Sequence, residues 1–85
     1  KLLQNYPNPF NPETLIKFEV DKRAFIKLNV YNVLGKKIAE LINKELTPGE
    51  HSVRFEGNSL PSGVYFYQLE IDEIIIKSKK MVLFK

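Results

Sequence analysis

His51 is the only histidine in the chain. General acid–base work or metal ligation needs an imidazole with a partner. His51 stands two residues past a turn glycine, Gly49, the setting of an exposed strand-edge residue. Ser52, Ser59, Ser62 and Ser78 have no base near them in sequence, and no Gly-x-Ser-x-Gly elbow surrounds any of them. Asp21 and Asp72 fall in turns, and the glutamates are scattered over outward positions. A glycosidase needs two carboxylates flanking a cleft, and a chain of 85 residues leaves little room for one. There is no cysteine and no Asp-x-Asp-x-Asp-Gly loop, so a metal site lacks a ligand set. The four glycines follow turn positions, not a phosphate-binding loop. Neither enzyme activity nor a cofactor is expected.

Two surfaces could bind without catalysing. Tyr65, Phe66 and Tyr67 could stack on sugar rings, but alternation sends Tyr65 and Tyr67 to the core and leaves Phe66 alone on the other face. Lys77, Lys79, Lys80 and Lys85 form a basic tail, which reads as a solvated edge that resists strand-to-strand association. The net charge is +3, with no block of like charge, and nucleic acid is not an expected partner. No apolar run approaches the ~20 residues that span a bilayer as a helix.

The elements that would position these residues read as strands. Ile16, Phe18 and Val20 alternate with Lys17 and Glu19 over 14–20, and Ile26, Leu28 and Val30 alternate with Lys27 and Asn29 over 24–31. Asn32-Val33-Leu34-Gly35 has turn chemistry. Residues 34–46 fit a helix as well as a strand, because Leu34, Ile38, Leu41 and Ile42 fall at helical spacing. The strands on either side and the short turns joining them favour a strand carrying a bulge. Thr47-Pro48-Gly49-Glu50 predicts a type II turn, and Val53 and Phe55 point inward from the strand after it. Leu60-Pro61-Ser62-Gly63 predicts a type I turn. Tyr65, Tyr67, Leu69 and Ile71 share one face of the next strand. Asp72-Glu73 reverses the chain into 74–84, whose alternation slips between Ile76 and Met81. Six to seven short antiparallel strands make an all-β sandwich of the immunoglobulin or fibronectin-III kind. With 44% hydrophobic residues, such a domain folds on an apolar core alone.

Ahead of the first strand lies an Asn/Pro-rich segment, Asn5-Tyr6-Pro7-Asn8-Pro9-Phe10-Asn11-Pro12, holding three of the five prolines. Each proline fixes φ, lacks a donor and keeps the residue before it out of the helical region. Residues 1–13 are therefore expected to form an extended, polyproline-II-like arm packed on a sandwich at 14–85. Tyr6 and Phe10 would pin it there, and Asn11-Pro12-Glu13-Thr14 would turn as type I.

This opening resembles that of the C-terminal sorting domains of the type IX secretion system. Gly35 after Tyr31-Asn32, Pro48-Gly49-Glu50-His51, Phe55-Glu56-Gly57, and Ser62-Gly63-Val64-Tyr65 follow the family pattern in order. Asn32 stands where the family has aspartate, and Phe55-Glu56 where it often has Trp-Asp. Lys79-Lys80-Met81-Val82-Leu83-Phe84-Lys85 is similar to the family's closing strand, and the family also places a strand over 34–46.

The resemblance implies a monomeric, immunoglobulin-like label at the end of a larger secreted protein, with an upstream cargo domain in the same polypeptide. The chain starts at Lys1 rather than methionine, in keeping with a piece of a longer protein. Outer-membrane secretion machinery would read the label after passage through the periplasm, and a sortase could cleave it and attach the cargo to the cell surface. Lys79, Lys80, Met81, Val82, Leu83 and Lys85 are the expected recognition residues. The alternatives are a carbohydrate-binding module or a passive spacer of an extracellular hydrolase.

Overall fold

The computed structural model describes all of residues 1–85. Six strands follow one another: β1 (Glu13–Val20), β2 (Ala24–Tyr31), β3 (Lys37–Leu46), β4 (Gly49–Glu56), β5 (Gly63–Ile71) and β6 (Ile74–Leu83). β1 pairs with β4 in one sheet, and β3-β2-β5-β6 form the other, all antiparallel. Inward residues from both sheets form the core, including Ile16, Phe18, Ile26, Leu28, Val30, Phe55, Tyr65, Tyr67 and Leu69. Fully burying an aliphatic or aromatic side chain of this kind contributes about 1.5–3 kcal/mol. At the start of β5 the Tyr65 hydroxyl donates to the Pro61 carbonyl at 2.6 Å, the tyrosine corner of immunoglobulin-like sandwiches.

The arm is not a straight polyproline-II rod. Its Tyr6–Pro7, Asn8–Pro9 and Asn11–Pro12 bonds are cis, and it bends at residues 7–9 and 11–12. Its first part runs antiparallel to β1: Leu3 N donates to Lys17 O, and Tyr6 and Leu15 exchange both of their bonds. Its second part crosses to the other sheet, where Phe10 lies parallel to β6. One segment thus edges both sheets and closes one side of the sandwich. Phe10 is fully buried, edge-on to Phe55 at 6.0 Å. Tyr6, expected to pin the arm, is 80% exposed instead, because its backbone is spent on Leu15 while its ring faces out. No hydrogen bond closes Asn11–Thr14 as a turn; β1 has already begun at Glu13.

Residues 37–46 are a strand. Its pairing with β2 shifts register twice, so half-buried residues come in pairs, Ile38-Ala39 and Leu41-Ile42. Bulges of this kind produce the spacing that imitates a helix. Gly35, at φ +82°, closes the turn from Asn32 with a bond of 3.0 Å, a conformation that disfavours any other residue. The Asn32 Oδ1 accepts from both Leu34 N and Lys36 N.

Other local expectations need correction. Gly49 has positive φ but already belongs to β4, and the turn there is tied instead by the His51 ring, whose Nε2 lies 2.8 Å from Thr47 O. The hydrogen-bonded turn in the following loop is Gly57–Leu60, not Leu60–Gly63. Asn29, expected outward and solvated, is 4% exposed, because β2 is a central strand and Glu40 and Gln68 flank it. Val53 is only half-buried. The slip in β6 is a register shift that leaves Ile76 unpaired between Ile75 and Lys77.

Candidate functional site

The residues singled out in the arm and in the tail are about seventy positions apart, and the fold makes one unit of them. The tail half of β6 lies between β5 on one side and the arm on the other. Toward β5, Gly63, Val64 and Tyr65 pair with Leu83, Val82 and Met81. Toward the arm, Phe10 N donates to Val82 O at 2.9 Å, and Phe84 N donates to Phe10 O at 2.9 Å. Val82 N donates to the Asn8 Oδ1 at 2.9 Å, and the Gln4 Nε2 donates to Lys80 O at 2.8 Å. Lys80 O, Val82 N, Val82 O and Phe84 N, groups that an edge would offer a partner, are therefore taken.

The arm is held by buried polar groups. Asn5 is 2% exposed, and its Nδ2 donates to Pro7 O and to the Thr14 Oγ1 at 3.1 and 3.0 Å. Thr14 is also buried and donates its hydroxyl proton to Pro7 O. The Tyr67 hydroxyl accepts from Asn5 N at 2.8 Å and donates to Leu3 O at 2.7 Å. Burial pushes the Tyr67 phenol up to about 12, and the Asn5 N–H, which favours the phenolate, only partly offsets it. Sequence reasoning assigned Tyr67 to packing and missed this tether. The usable signal was the asparagines between the prolines, since a kinked segment must satisfy its backbone with side chains.

The tail's side chains divide by face. Met81 and Leu83 are buried, Val82 and Lys79 half-buried, and Lys80 and Phe84 exposed. Leu83 fills the space over Gly57, where a Cβ would come within 2.7 Å of its Cδ2. Gly57 N donates to Pro12 O, so arm, loop and tail lock at one point. Lys85 does not project freely. Its Nζ donates to Asn58 O and Leu60 O, both at 2.8 Å, and its N donates to the Ser62 Oγ at 3.0 Å. The structure thus gathers Asn5, Pro7, Asn8, Phe10, Pro12, Gly57, Ser62, Gly63, Val64 and Tyr65 around the tail. Pro9 and Asn11 lie exposed in the bends of the arm, while Gly49 sits at the opposite end of the sandwich.

His51 and Glu56 have structural partners, whereas the buried Asn29 Oδ1 has none. His51 lies on the edge strand β4 as expected, but half-buried, its ring stacked on Phe18 at 5.6 Å. Glu56 is opposite Glu13. A hydrogen bond to Glu13 and the like charge there raise the Glu56 pKa, with Arg54 opposing. On the outer face of the larger sheet, Tyr31 pairs with Phe66 beside Gln68, both rings half-buried.

A family model described as "Secretion system C-terminal sorting domain" matches residues 4–83. No curated protein matches the chain. Among solved structures, Pseudomonas fluorescens alkylpurine DNA glycosylase AlkC bound to DNA containing an abasic site analog aligns with all of this chain and 30% of its own, at a TM-score of 0.58. At 13% identity that likeness is one of fold alone.

Proposed function

The chain belongs to the secretion system C-terminal sorting domains, and on that footing we propose that its tail, held by the arm, is the surface that outer-membrane machinery reads. The observation carrying this reading is the sheathing of β6: Gln4, Asn8 and Phe10 occupy Lys80 O, both backbone groups of Val82, and Phe84 N. Recognition of this stretch would then go through side chains, with Lys80 and Phe84 presented and Met81 and Leu83 setting the strand's position. The cargo lies upstream in the same polypeptide and travels by way of the periplasm to the cell surface or outside. Cleavage of the label and attachment of the cargo by a sortase belong to the same proposal.

A reporter fused ahead of the chain tests this in a host that has the secretion system. Lys80→Glu and Phe84→Ser alter exposed side chains, and surface changes of this sort shift stability by under ~0.5 kcal/mol. Both variants should fold, and each should leave reporter in the periplasm. Deletion of Met81 to Lys85 should do so too, although loss of the strand destabilises as well. Export of both point variants at the parent's level would show that the tail's side chains are not read. Carbohydrate binding by Tyr31 and Phe66 is the weaker reading, since stacking on sugar asks for more exposed rings.

A further inference from the structure

We propose that β4 is a self-pairing edge, through which two copies of this chain join their smaller sheets side by side. The other strand edges are guarded. The arm covers β1 and the tail of β6. The first half of β6 carries Lys77, Lys79 and a register shift, and β3 carries Lys37, Lys44 and two register shifts. Lysines and bulges both discourage a strand from adding. β4 instead pairs with β1 over its 8 residues without a shift, and Gly49–Glu56 holds neither lysine nor proline. No strand lies on its far side. There Leu41, Ile42, Leu46 and Val53, all half-buried, line a cavity of ≈ 260 Å³ between β3 and β4.

Register and charge identify the occupant. The backbone groups of Leu15, Lys17 and Glu19 bond to the arm, so Thr14, Ile16 and Phe18 turn theirs to Phe55, Val53 and His51 of β4. The intervening Ser52 and Arg54, and Glu50 beyond them, therefore point their N–H and C=O groups to the open side. A second copy running antiparallel about a two-fold axis at Ser52 brings these groups into phase. Ser52 faces its own counterpart, and Glu50 faces Arg54 of the second copy, so each pair exchanges both backbone bonds. Glu50 lies opposite Glu19 in its own chain, and neither carboxylate has a salt-bridge partner there. Arg54 of the second copy supplies one. Arg54 is free to do so, being 67% exposed and 3.6 Å from its only partner, Glu13. On the inner face Val53 meets His51 of the second copy, both half-buried in the single chain. Any other strand would need a cation and an anion at the same spacing, whereas a second copy meets this by symmetry. Every contact occurs twice, as an isologous interface requires. The arm lies on the other side of β1, so arm and tail stay clear, and the pairing is independent of the sorting reading.

One short edge makes a weak dimer, expected to form over roughly 10 µM to 1 mM. Sedimentation equilibrium of the whole chain reads it directly. Glu50→Arg and Arg54→Glu should each raise the dissociation constant on the order of ten-fold, because each puts like charges opposite at two symmetric places. The doubly swapped chain, Glu50→Arg with Arg54→Glu, should recover parental association. Ser52→Pro removes the donor at the axis, on an edge where the folded monomer tolerates proline, and should abolish association with an unchanged circular dichroism spectrum. The two charge variants alter exposed side chains and decide the matter even if the proline disturbs β4. A chain that sediments as a monomer at 1 mM overturns the proposal. So does a dimer that both single charge variants leave at parental strength, or one that the double swap fails to restore.

Discussion

Removing one oxygen should loosen the whole arm. Tyr67→Phe keeps the ring, which is fully buried among the core residues, and deletes a hydroxyl that serves two backbone groups of the arm, Asn5 N and Leu3 O. No other partner replaces that hydroxyl, so two groups lose their bonds in a largely dry site. Each unsatisfied group costs about 1–3 kcal/mol; Leu3 is half-buried and can recruit water, which places the total near 2–4 kcal/mol. For a domain of this length that corresponds to a fall in Tm of roughly 10–30 °C. Urea unfolding gives the energy, and amide exchange at Asn5, Phe10, Val82 and Phe84 shows whether the arm has lifted. The same hydroxyl makes stability depend on alkaline pH. Its pKa is raised from 10.0 to about 12 on folding, so its contribution is fully present below 10 and lost as pH climbs through the folded value. The loss amounts to at most about 3 kcal/mol. Tyr67→Phe should flatten that part of the profile. A variant within 0.5 kcal/mol of the parent, with unchanged protection in the arm, would refute the tether.

Two further outcomes test the surroundings of the tail. Gly57→Ala forces a methyl against Leu83 and should cost about 1–3 kcal/mol by overpacking, with Leu83→Ala in the same chain recovering part of it in a double-mutant cycle. Glu56→Gln removes a carboxyl whose folded pKa lies above 4.5 because of Glu13. Its favourable contribution is present below 4.5 and lost as pH rises through the higher folded value. The variant should therefore lose that segment of the pH–stability curve, and an identical curve for parent and variant would refute the Glu13–Glu56 contact.

The strands were legible wherever one face is buried and the other wet. Ile16-Phe18-Val20, Ile26-Leu28-Val30 and Tyr65-Tyr67-Leu69 all face inward, because a period of two follows directly from the pleat. β3 was less legible, since its two register shifts break the period that identifies a strand. The turns were legible by position more than by type. Asn32 and Gly35 act through a side-chain bond and a positive φ that local chemistry dictates, whereas the loop before β5, besides its Gly57–Leu60 turn, is anchored by distant residues, Pro12 and Lys85. Lys85 was read as free charge, and its clamp on Asn58 and Leu60 depends on a loop more than twenty positions away. Polar side chains that satisfy remote backbone leave no periodic trace, and that is why the Asn5, Asn8 and Tyr67 contacts emerged only from the fold.

On the proposed reading of the tail, the arm resolves a conflict built into the last strand. A strand at the edge of a sheet, carrying Met81, Val82 and Leu83, invites pairing with any extended chain it meets. Before Lys80, lysines and the register shift at Ile76 protect β6. Beyond it, protection comes from backbone-to-arm bonds and from Asn8 standing in for a neighbouring strand. Prolines suit that role, because an arm poor in donors can cover one edge without offering a new one on its far side. Phe10 supplies the adhesion, fully buried against Phe55, and Asn5 supplies the direction by fixing where the arm leaves β1. The proline–asparagine opening and the lysine-flanked ending are thus two halves of one device. A change in either half should be read through its effect on the position of Val82 before it is read as a loss of recognition.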